Sequence, residues 1–136
     1  MLLRQLQNAL RHATEEVLQE AELTPAQASV LTELAHGAAR SNAELARAGF
    51  VAPQTMVEIL MALERRGLLV RKPQPEGGRA MLAELTKEGS KAVFAVHLAM
   101  RKVEQRLLSV LAAEDALRLR QLLKECLTAL ESRDSG

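Results

Sequence analysis

Aromatic residues are almost absent from this chain of 136 residues, which has no tryptophan, no tyrosine and only two phenylalanines, Phe50 and Phe94. Proteins that read single-stranded nucleic acid stack the bases on several aromatic side chains. The composition therefore argues against a single-strand reader. It also predicts a hydrophobic core built from leucine, valine, alanine and methionine.

Cysteine and long apolar runs are scarce as well. The single cysteine, Cys126, makes an internal disulfide impossible, and it falls on the apolar stripe of the last predicted helix. We therefore expect its thiol to be buried and inert. No apolar run approaches the roughly 20 residues of a membrane-spanning helix, and the amino terminus lacks the basic region and cleavage site of a signal peptide. These features predict a cytoplasmic protein.

An excess of charge of one sign is also missing, because 18 lysines and arginines against 17 acidic residues leave a net charge of +1. The total charge thus supplies no argument for nucleic acid binding, and any such argument depends on where the charges lie. Hydrophobic residues make up 48% of the chain, close to the average for globular proteins. With this length, they predict one domain over residues 1–136.

Two helices are predicted in the first part of the chain. Apolar residues at steps of three and four predict an amphipathic helix over 2–21, with a narrow apolar seam of Leu3, Leu6, Leu10, Ala13 and Val17. We expect this seam to pack on another helix, in this chain or in a second one. Thr24 and Gln27 form a capping box at the start of a helix over 24–36. Each of these segments therefore carries its own local structural signal.

A helix-turn-helix is predicted next. Ser41 and Glu44 form a second capping box for a helix over 41–48, and Gly49 is expected to supply the turn that follows it. The next helix begins with proline and runs over 53–66. This spacing of two short helices around a glycine is typical of a helix-turn-helix.

A hairpin and two long helices complete the chain. Two short apolar segments, 68–72 and 79–86, are bounded by glycine and proline and predict strands joined by the loop PQPEGG. Amphipathic helices are then predicted over 87–111, after a capping Thr86, and over 114–132. The expected fold is mainly α with a small β-hairpin, of the α+β class.

This order of elements resembles the MarR family of bacterial transcription regulators over essentially the whole chain. The matching motifs, in order, are LTPAQASVLTELA, SNAELA, PQTMVEILMALERRGLLVRK, the arginine in GGRAMLAELT, and LTKEG. The resemblance implies a winged helix-turn-helix lobe over about 22–86, flanked by dimerisation helices over 1–21 and 87–132. It also implies a homodimer bound to a pseudo-palindromic duplex and released by a small-molecule effector.

The second helix of a helix-turn-helix enters the major groove, where its outward side chains read base edges. The candidates here are Gln54, Thr55, Val57 and Glu58. Gln54 suits an adenine edge, Thr55 a phosphate or a base, and Val57 a thymine methyl group. Many members of the family carry a basic or small polar residue at the position of Glu58. We hypothesise that Glu58 is a specificity element that accepts a hydrogen bond from a cytosine amino group.

Basic residues surround this reading helix. Arg79, predicted at the start of the second wing strand, suits a narrow and electronegative minor groove. Other predicted DNA contacts are Arg40, Ser41, Arg65, Arg71 and Lys72, and Arg66 belongs to the same basic cluster. Lysine and arginine at these positions would bind phosphates without specifying the sequence.

No catalytic or metal-binding pattern is present. The three histidines lack the spacing of a metal site, and neither a nucleophile elbow nor a phosphate-binding glycine loop occurs. We therefore expect no enzyme activity, no metal and no cofactor. The resemblance implies that an effector pocket, if present, would be lined by His12, His36, Phe94 and His97.

Two hypotheses for function follow. The leading one is a dimeric, sequence-specific DNA-binding regulator, most consistent with a repressor. The alternative is a winged-helix module that binds protein with weak or no DNA binding, favoured by Val57, Glu58 and the low net charge. DNA binding predicts an affinity that falls steeply with salt, whereas protein binding predicts little such dependence.

Overall fold

A computed structural model describes residues 1–37 and 40–132 of the chain. In chain order, the elements of this part are α1 (Leu2–Glu20), α2 (Pro25–Ala35), β1 (Arg40–Ser41), α3 (Asn42–Ala48), α4 (Pro53–Arg65), β2 (Leu69–Pro73), β3 (Met81–Leu85), α5 (Lys87–Leu108) and α6 (Ala113–Glu131). The predicted fold, mainly α with a small β-wing, is confirmed. Residues 133–136, which the predicted domain includes, lie outside the described residues.

The chain divides into two compact units, Met1–Arg101 and Lys102–Gly136. The first contains α1 to α4, the three strands and the first part of α5. The second contains the remainder of α5 and α6, where Arg120 Nη2 donates a hydrogen bond to Glu104 Oε1 at 3.1 Å. Compactness alone does not show whether a unit folds independently, so the single domain expected from chain length stays a prediction.

Both predicted capping boxes are confirmed. At the start of α2, Thr24 Oγ1 accepts a hydrogen bond from the Gln27 amide at 3.1 Å, and Gln27 Oε1 accepts from the Thr24 amide at 3.1 Å. At the start of α3, Ser41 Oγ accepts from the Glu44 amide at 3.2 Å, and Glu44 Oε1 accepts from the Ser41 amide at 3.3 Å. Each box satisfies two backbone amides that lack helical partners.

The turn between α3 and α4 differs from the prediction. The left-handed residue there is Phe50, with φ 53°, whereas Gly49 has a helical φ of −89°. The amide of Phe50 donates to the carbonyl of Arg47 at 3.3 Å, and that of Val51 donates to Ala46 at 3.1 Å. This is a Schellman motif whose left-handed position is usually glycine. The assignment of the turn to Gly49 is therefore wrong by one residue.

A three-stranded antiparallel sheet has the order β1-β3-β2. Arg40 of β1 and Arg71 of β2 both pair with Ala83 of β3, so the three side chains lie in one row on one face. Lys72 pairs with Leu82, and alternation places it on the opposite face. The sequence analysis missed β1, because two residues are too few to show alternation. The second wing strand is also shorter than predicted and begins at Met81.

The core contains leucine, valine, alanine and methionine, as the composition predicts. Its most deeply buried large side chains are Leu18, Leu31, Leu45, Met56, Leu60, Leu63 and Leu69. Both phenylalanines lie outside it, with 96% of Phe50 and 66% of Phe94 exposed. The core therefore places α4 firmly against α2, α3 and the sheet.

The first turn of α5 packs directly on the connection between α4 and β2. Thr86 Oγ1 accepts a hydrogen bond from the Gly89 amide at 3.0 Å, which confirms the predicted cap, and it donates to the Gly67 carbonyl at 2.6 Å. A Cβ atom at Gly89 would lie 1.9 Å from the Leu68 carbonyl oxygen. Only glycine fits this approach without movement of the backbone.

Several apolar side chains of the outer helices remain exposed in the single chain. On α1, Leu3 and Leu6 of the predicted seam are exposed, and the buried residue of that helix is Leu18, which the seam did not include. On α6 the large exposed residues are Leu117, Leu122, Leu123, Leu127 and Leu130. Because α6 buries no residue in this chain, the Cys126 thiol is exposed and its predicted burial is wrong.

Candidate nucleic-acid interface

A side-chain hydrogen bond joins the two helices of the helix-turn-helix, in addition to their apolar core. Asn42 Nδ2, in the first turn of α3, donates to the carbonyl of Pro53 at 3.3 Å, at the start of α4. Asn42 Oδ1 is buried and has no hydrogen-bond partner among the described residues. The sequence analysis missed this contact, since no local pattern links two residues in different helices.

The predicted reading helix, α4, buries Met56, Leu60 and Leu63 and partly buries Ile59, so these residues form its inward face. On the outward face, Gln54, Thr55 and Glu58 are exposed. Val57 is half-buried, so less of its side chain reaches solvent than predicted. The exposed polar positions therefore lie in the first two turns of α4, the part of a reading helix that contacts base edges.

Arg79 is exposed and lies in the wing loop, two residues before β3 begins. Gly77 and Gly78 precede it with backbone φ angles of 87° and 109°, values that residues other than glycine rarely adopt. Among residues 1–37 and 40–132, no carboxylate lies at ion-pair distance from Arg79. The guanidinium is accordingly available to an anion.

Three of the predicted phosphate contacts, Arg40, Arg71 and Lys72, differ from Arg79 because each already faces a carboxylate. Arg40 Nη1 lies 2.9 Å from Glu33 Oε1, Lys72 Nζ lies 3.2 Å from Glu84 Oε2, and Arg71 Nε lies 3.7 Å from Glu64 Oε2. The acidic partners come from α2, β3 and α4. Sequence separation gives no sign of such pairs, and the sequence analysis did not find them.

Arg65 and Arg66 are neighbours with different surroundings. Arg66 Nη2 donates to the Ala21 carbonyl at 3.3 Å, and Nη1 donates to the Glu22 carbonyl, so its guanidinium is held at the turn after α1. Arg65 is exposed, and no carboxylate in the described part of the chain pairs with it. Of the two, only Arg65 has a guanidinium that is unengaged within the chain.

Ser41 is buried in its capping role, and its hydroxyl also donates to Glu44 Oε1 at 3.0 Å. This hydrogen bond lowers the pKa of Glu44, with smaller contributions from the Ser41 amide and from the charges of Arg40 and Arg47. Glu44 is therefore anionic at neutral pH. The hydroxyl and the amide of Ser41 both donate to Glu44 in the cap, so a contact between Ser41 and DNA stays a prediction.

A groove of about 420 Å³ lies between α1, α2 and α5 in the first unit. His36 and His97 line it, together with apolar residues that include Leu18, Val96 and Met100. His12 and Phe94, which were predicted for an effector pocket, are not among its lining residues. The structure thus brings together two of the four predicted pocket residues.

Among the described residues, no group of three or more histidine, cysteine, aspartate or glutamate side chains is arranged to hold a metal ion. Within the same part of the chain, every helix is too short or too polar to cross a membrane.

Sequence comparison places the helix-turn-helix and wing in a known family. A family model described as the MarR family matches residues 21–80. The chain is 29% identical over 116 residues to the HTH-type transcriptional repressor Rv2887 of Mycobacterium tuberculosis, covering 85% of this chain and 84% of the relative. The HTH-type transcriptional repressor Mb2911 of Mycobacterium bovis matches with the same identity and coverage.

Solved structures agree with this result over nearly the whole chain. Wild-type MarR of E. coli in its apo form has a TM-score of 0.82 at 26% identity, covering 93% of this chain and 94% of that chain. MepR, described as a transcription regulator of the Staphylococcus aureus multidrug efflux pump MepA, has a TM-score of 0.84 at 24% identity, covering 95% and 96%, and this likeness concerns the fold alone. In the sequence of its helix-turn-helix and wing, and in its fold over nearly the whole chain, this protein is similar to the MarR family of winged helix-turn-helix transcription regulators.

Proposed function

We propose that this protein is a sequence-specific repressor that binds double-stranded DNA. The observation that carries the proposal is the exposed polar start of α4, with Gln54, Thr55 and Glu58, in the same unit as a hairpin loop that presents Arg79. A helix with an exposed polar start fits the major groove of DNA, and an arginine on a hairpin loop fits the minor groove. The names of the mycobacterial relatives support repression as the direction of regulation.

The proposed assembly is a homodimer on a pseudo-palindromic operator. Exposed leucines on α1 and α6 support it, since monomers rarely leave so many large apolar side chains in water. A twofold dimer would place its two reading helices about one DNA turn apart, roughly 34 Å. Burial of α6 in such a dimer would also cover Cys126.

The individual contacts divide into reading and positioning roles. Gln54 would bond an adenine edge, and Glu58 would accept from a cytosine amino group. Arg65 would bind a phosphate, which positions the helix without specifying sequence. Loss of a base contact should therefore change operator preference, whereas loss of a phosphate contact should weaken all duplexes to a similar extent.

A footprint on the DNA upstream of the protein's own gene tests the proposal. We expect two protected half-sites about 10 base pairs apart, centre to centre, and an affinity whose logarithm falls linearly with the logarithm of salt concentration. Arg79→Ala should weaken binding without changing the melting temperature, whereas Arg11→Ala, an exposed substitution on α1, serves as the charge-matched control. Absence of salt-dependent duplex binding by the folded wild type would refute DNA binding.

One feature supports the alternative of a protein-binding module. The Phe50 ring is 96% exposed and Met61 on α4 is 46% exposed, so an apolar surface lies at the helix-turn-helix itself. A protein partner held by these side chains would dissociate little with added salt. Loss of partner binding in Phe50→Ser, with DNA binding unchanged, would favour this second function.

We further propose that a small-molecule effector binds in the groove lined by His36 and His97. The volume of about 420 Å³ suits a small ligand, and two imidazoles beside apolar walls suit one with a polar end. A ligand screen should find compounds that raise the melting temperature of the wild type but not of His97→Ala. His12→Ala is the matched control because His12 does not line the groove. Equal shifts in all three proteins would contradict this site.

A further inference from the structure

We propose that the carboxylates of Glu33, Glu64 and Glu84 compete with DNA phosphates for Arg40, Arg71 and Lys72, and thereby limit the affinity and salt dependence of duplex binding. This inference rests on the proposed DNA-binding function. It concerns residues that contact neither a base nor a phosphate. Their role would be to pair with cations that would otherwise bind the phosphates of the duplex.

The sheet register explains how two of the cations are engaged. Arg40 and Arg71 flank Ala83 on one face of the sheet, one on each edge strand. Ala83 is buried, so this is the face on which the helices pack. Each guanidinium therefore lies close to a helical carboxylate, Arg40 to Glu33 and Arg71 to Glu64.

Lys72 is engaged on the other face. Lys72 of β2 is paired with Leu82 of β3. Glu84 lies two residues after Leu82 on β3, so its side chain is on the same face as that of Lys72. Such diagonal neighbours are within reach of long side chains. The distance of 3.2 Å between Lys72 Nζ and Glu84 Oε2 agrees with this arrangement. Cations on both faces of the sheet are thus paired inside the chain.

These pairs affect DNA binding more than they affect folding. All are at least partly exposed, and exposed ion pairs add little to stability. Duplex binding, in contrast, gains affinity from the counterions that leave the DNA when an unpaired lysine or arginine of the protein neutralises a phosphate. A cation already paired with a carboxylate contributes less to this release. With a net charge of +1, the chain has no general excess of charge to compensate for such losses.

Two double variants with the same change in charge provide the test. Glu33→Gln/Glu84→Gln opens the two shorter of these three pairs, at 2.9 and 3.2 Å. Glu88→Gln/Glu104→Gln opens pairs of 3.4 and 3.1 Å whose cations, Lys91 and Arg120, are not among the predicted DNA contacts. The measurements are the salt needed to elute each protein from heparin, and its affinity for operator and random duplexes across a salt series. Thermal unfolding shows that each variant is folded.

We expect Glu33→Gln/Glu84→Gln to bind random duplex on the order of tenfold more tightly than the control variant, with a salt slope steeper by about 1 to 2. Its elution from heparin should also require more salt. Equal shifts in the two variants would show that only net charge matters and would overturn the proposal. Unchanged or weaker binding would overturn it too, because the carboxylates would then be orienting the cations rather than competing for them.

The proposed DNA-binding function can fail separately. If wild type and both variants bind no duplex, that function is refuted. Heparin elution then still decides whether the carboxylates compete with an external polyanion, since a selective shift supports competition and an equal shift refutes it. If the wild type binds its operator but the two variants behave alike, only the competition is refuted. Glu64→Gln should have a smaller effect, because its pair with Arg71 is the longest, at 3.7 Å.

Discussion

The hydroxyl of Thr86 accepts a hydrogen bond from the amide of Gly89 at 3.0 Å and closes the first turn of α5. The same hydroxyl donates to the Gly67 carbonyl at 2.6 Å, so the end of α4 and the start of α5 share one side chain. The reading helix and the first helix after the wing are therefore fixed to each other by residues next to the sheet.

Gly89→Ala should strongly destabilise the protein. The new Cβ would lie 1.9 Å from the Leu68 carbonyl oxygen, and the backbone must move to accept it. We expect a loss of about 3 kcal/mol in the free energy of unfolding, measured by urea denaturation. Gly37→Ala is the matched control, since a Cβ there meets no atom within 4 Å, and its cost should stay within about 0.5 kcal/mol. Equal costs would show that the close packing at Gly89 is not maintained in solution.

Phe50→Gly should stabilise the protein. Phe50 holds φ at 53° while 96% of its surface is exposed, so its ring contributes little burial in the single chain to offset the strained backbone. Glycine adopts this conformation without steric cost, and we expect a gain of about 1 kcal/mol. Phe94→Gly in the middle of α5 is the contrasting variant and should lose about 1 kcal/mol or more. A fall in the melting temperature of Phe50→Gly would reveal burial of the ring, for example against a partner.

The stability supplied by Glu44 should depend on pH. The folded state lowers the pKa of Glu44 below the ordinary value of 4.5, chiefly through the Ser41 hydroxyl. Stability from this interaction is therefore fully present above the unfolded pKa and is lost as pH falls through the folded pKa. Glu44→Gln retains the acceptor oxygen but removes the charge.

Urea denaturation of wild type and Glu44→Gln, from neutral pH to about pH 3, checks this expectation. The wild type should be the more stable protein at neutral pH, and the difference should shrink on acidification. Gln27→Glu is the reverse substitution, because it introduces a glutamate carboxyl group into the neutral capping box of α2. Its stability should gain the pH dependence that Glu44→Gln loses. A difference between wild type and Glu44→Gln that stays constant across the pH range would contradict the assigned cause.

Arg65 and Arg66 should respond differently to alanine substitution. Arg66→Ala removes hydrogen bonds to the carbonyls of Ala21 and Glu22 and should cost about 1 kcal/mol of stability. Arg65→Ala should leave stability unchanged within about 0.5 kcal/mol but weaken all duplexes, with a salt slope shallower by about 0.9. Unfolding curves and duplex titrations on both variants check this. The assignment fails if Arg66→Ala affects only DNA binding or Arg65→Ala affects only stability.

Features encoded by neighbouring residues were predictable from the sequence. The capping boxes at Thr24 and Ser41, and the cap at Thr86, each depend on residues three apart, because the oxygen and the amide meet within one helical turn. The inward face of α4 follows from helical periodicity. A motif of this kind can be recognised because its geometry does not depend on the rest of the chain.

Contacts between distant residues were not predictable. Whether Phe50 or Gly49 becomes left-handed depends on which carbonyl ends α3, and sequence preference for glycine pointed to the wrong residue. The exposure of Cys126 likewise depends on what covers α6. Of the four residues expected to line an effector pocket, only His36 and His97 line the groove between α1, α2 and α5.

The sequence by itself determined the fold class and the positions of the helix-turn-helix and the wing, because periodicity and capping act over a few residues. Only the tertiary structure decided how the charges are used. It left Arg79 free of partners in the described part of the chain, placed Arg66 on a backbone turn and paired Arg40 with Glu33. The physical reason is that an ion pair forms where folding brings two oppositely charged side chains together, whatever their separation along the sequence.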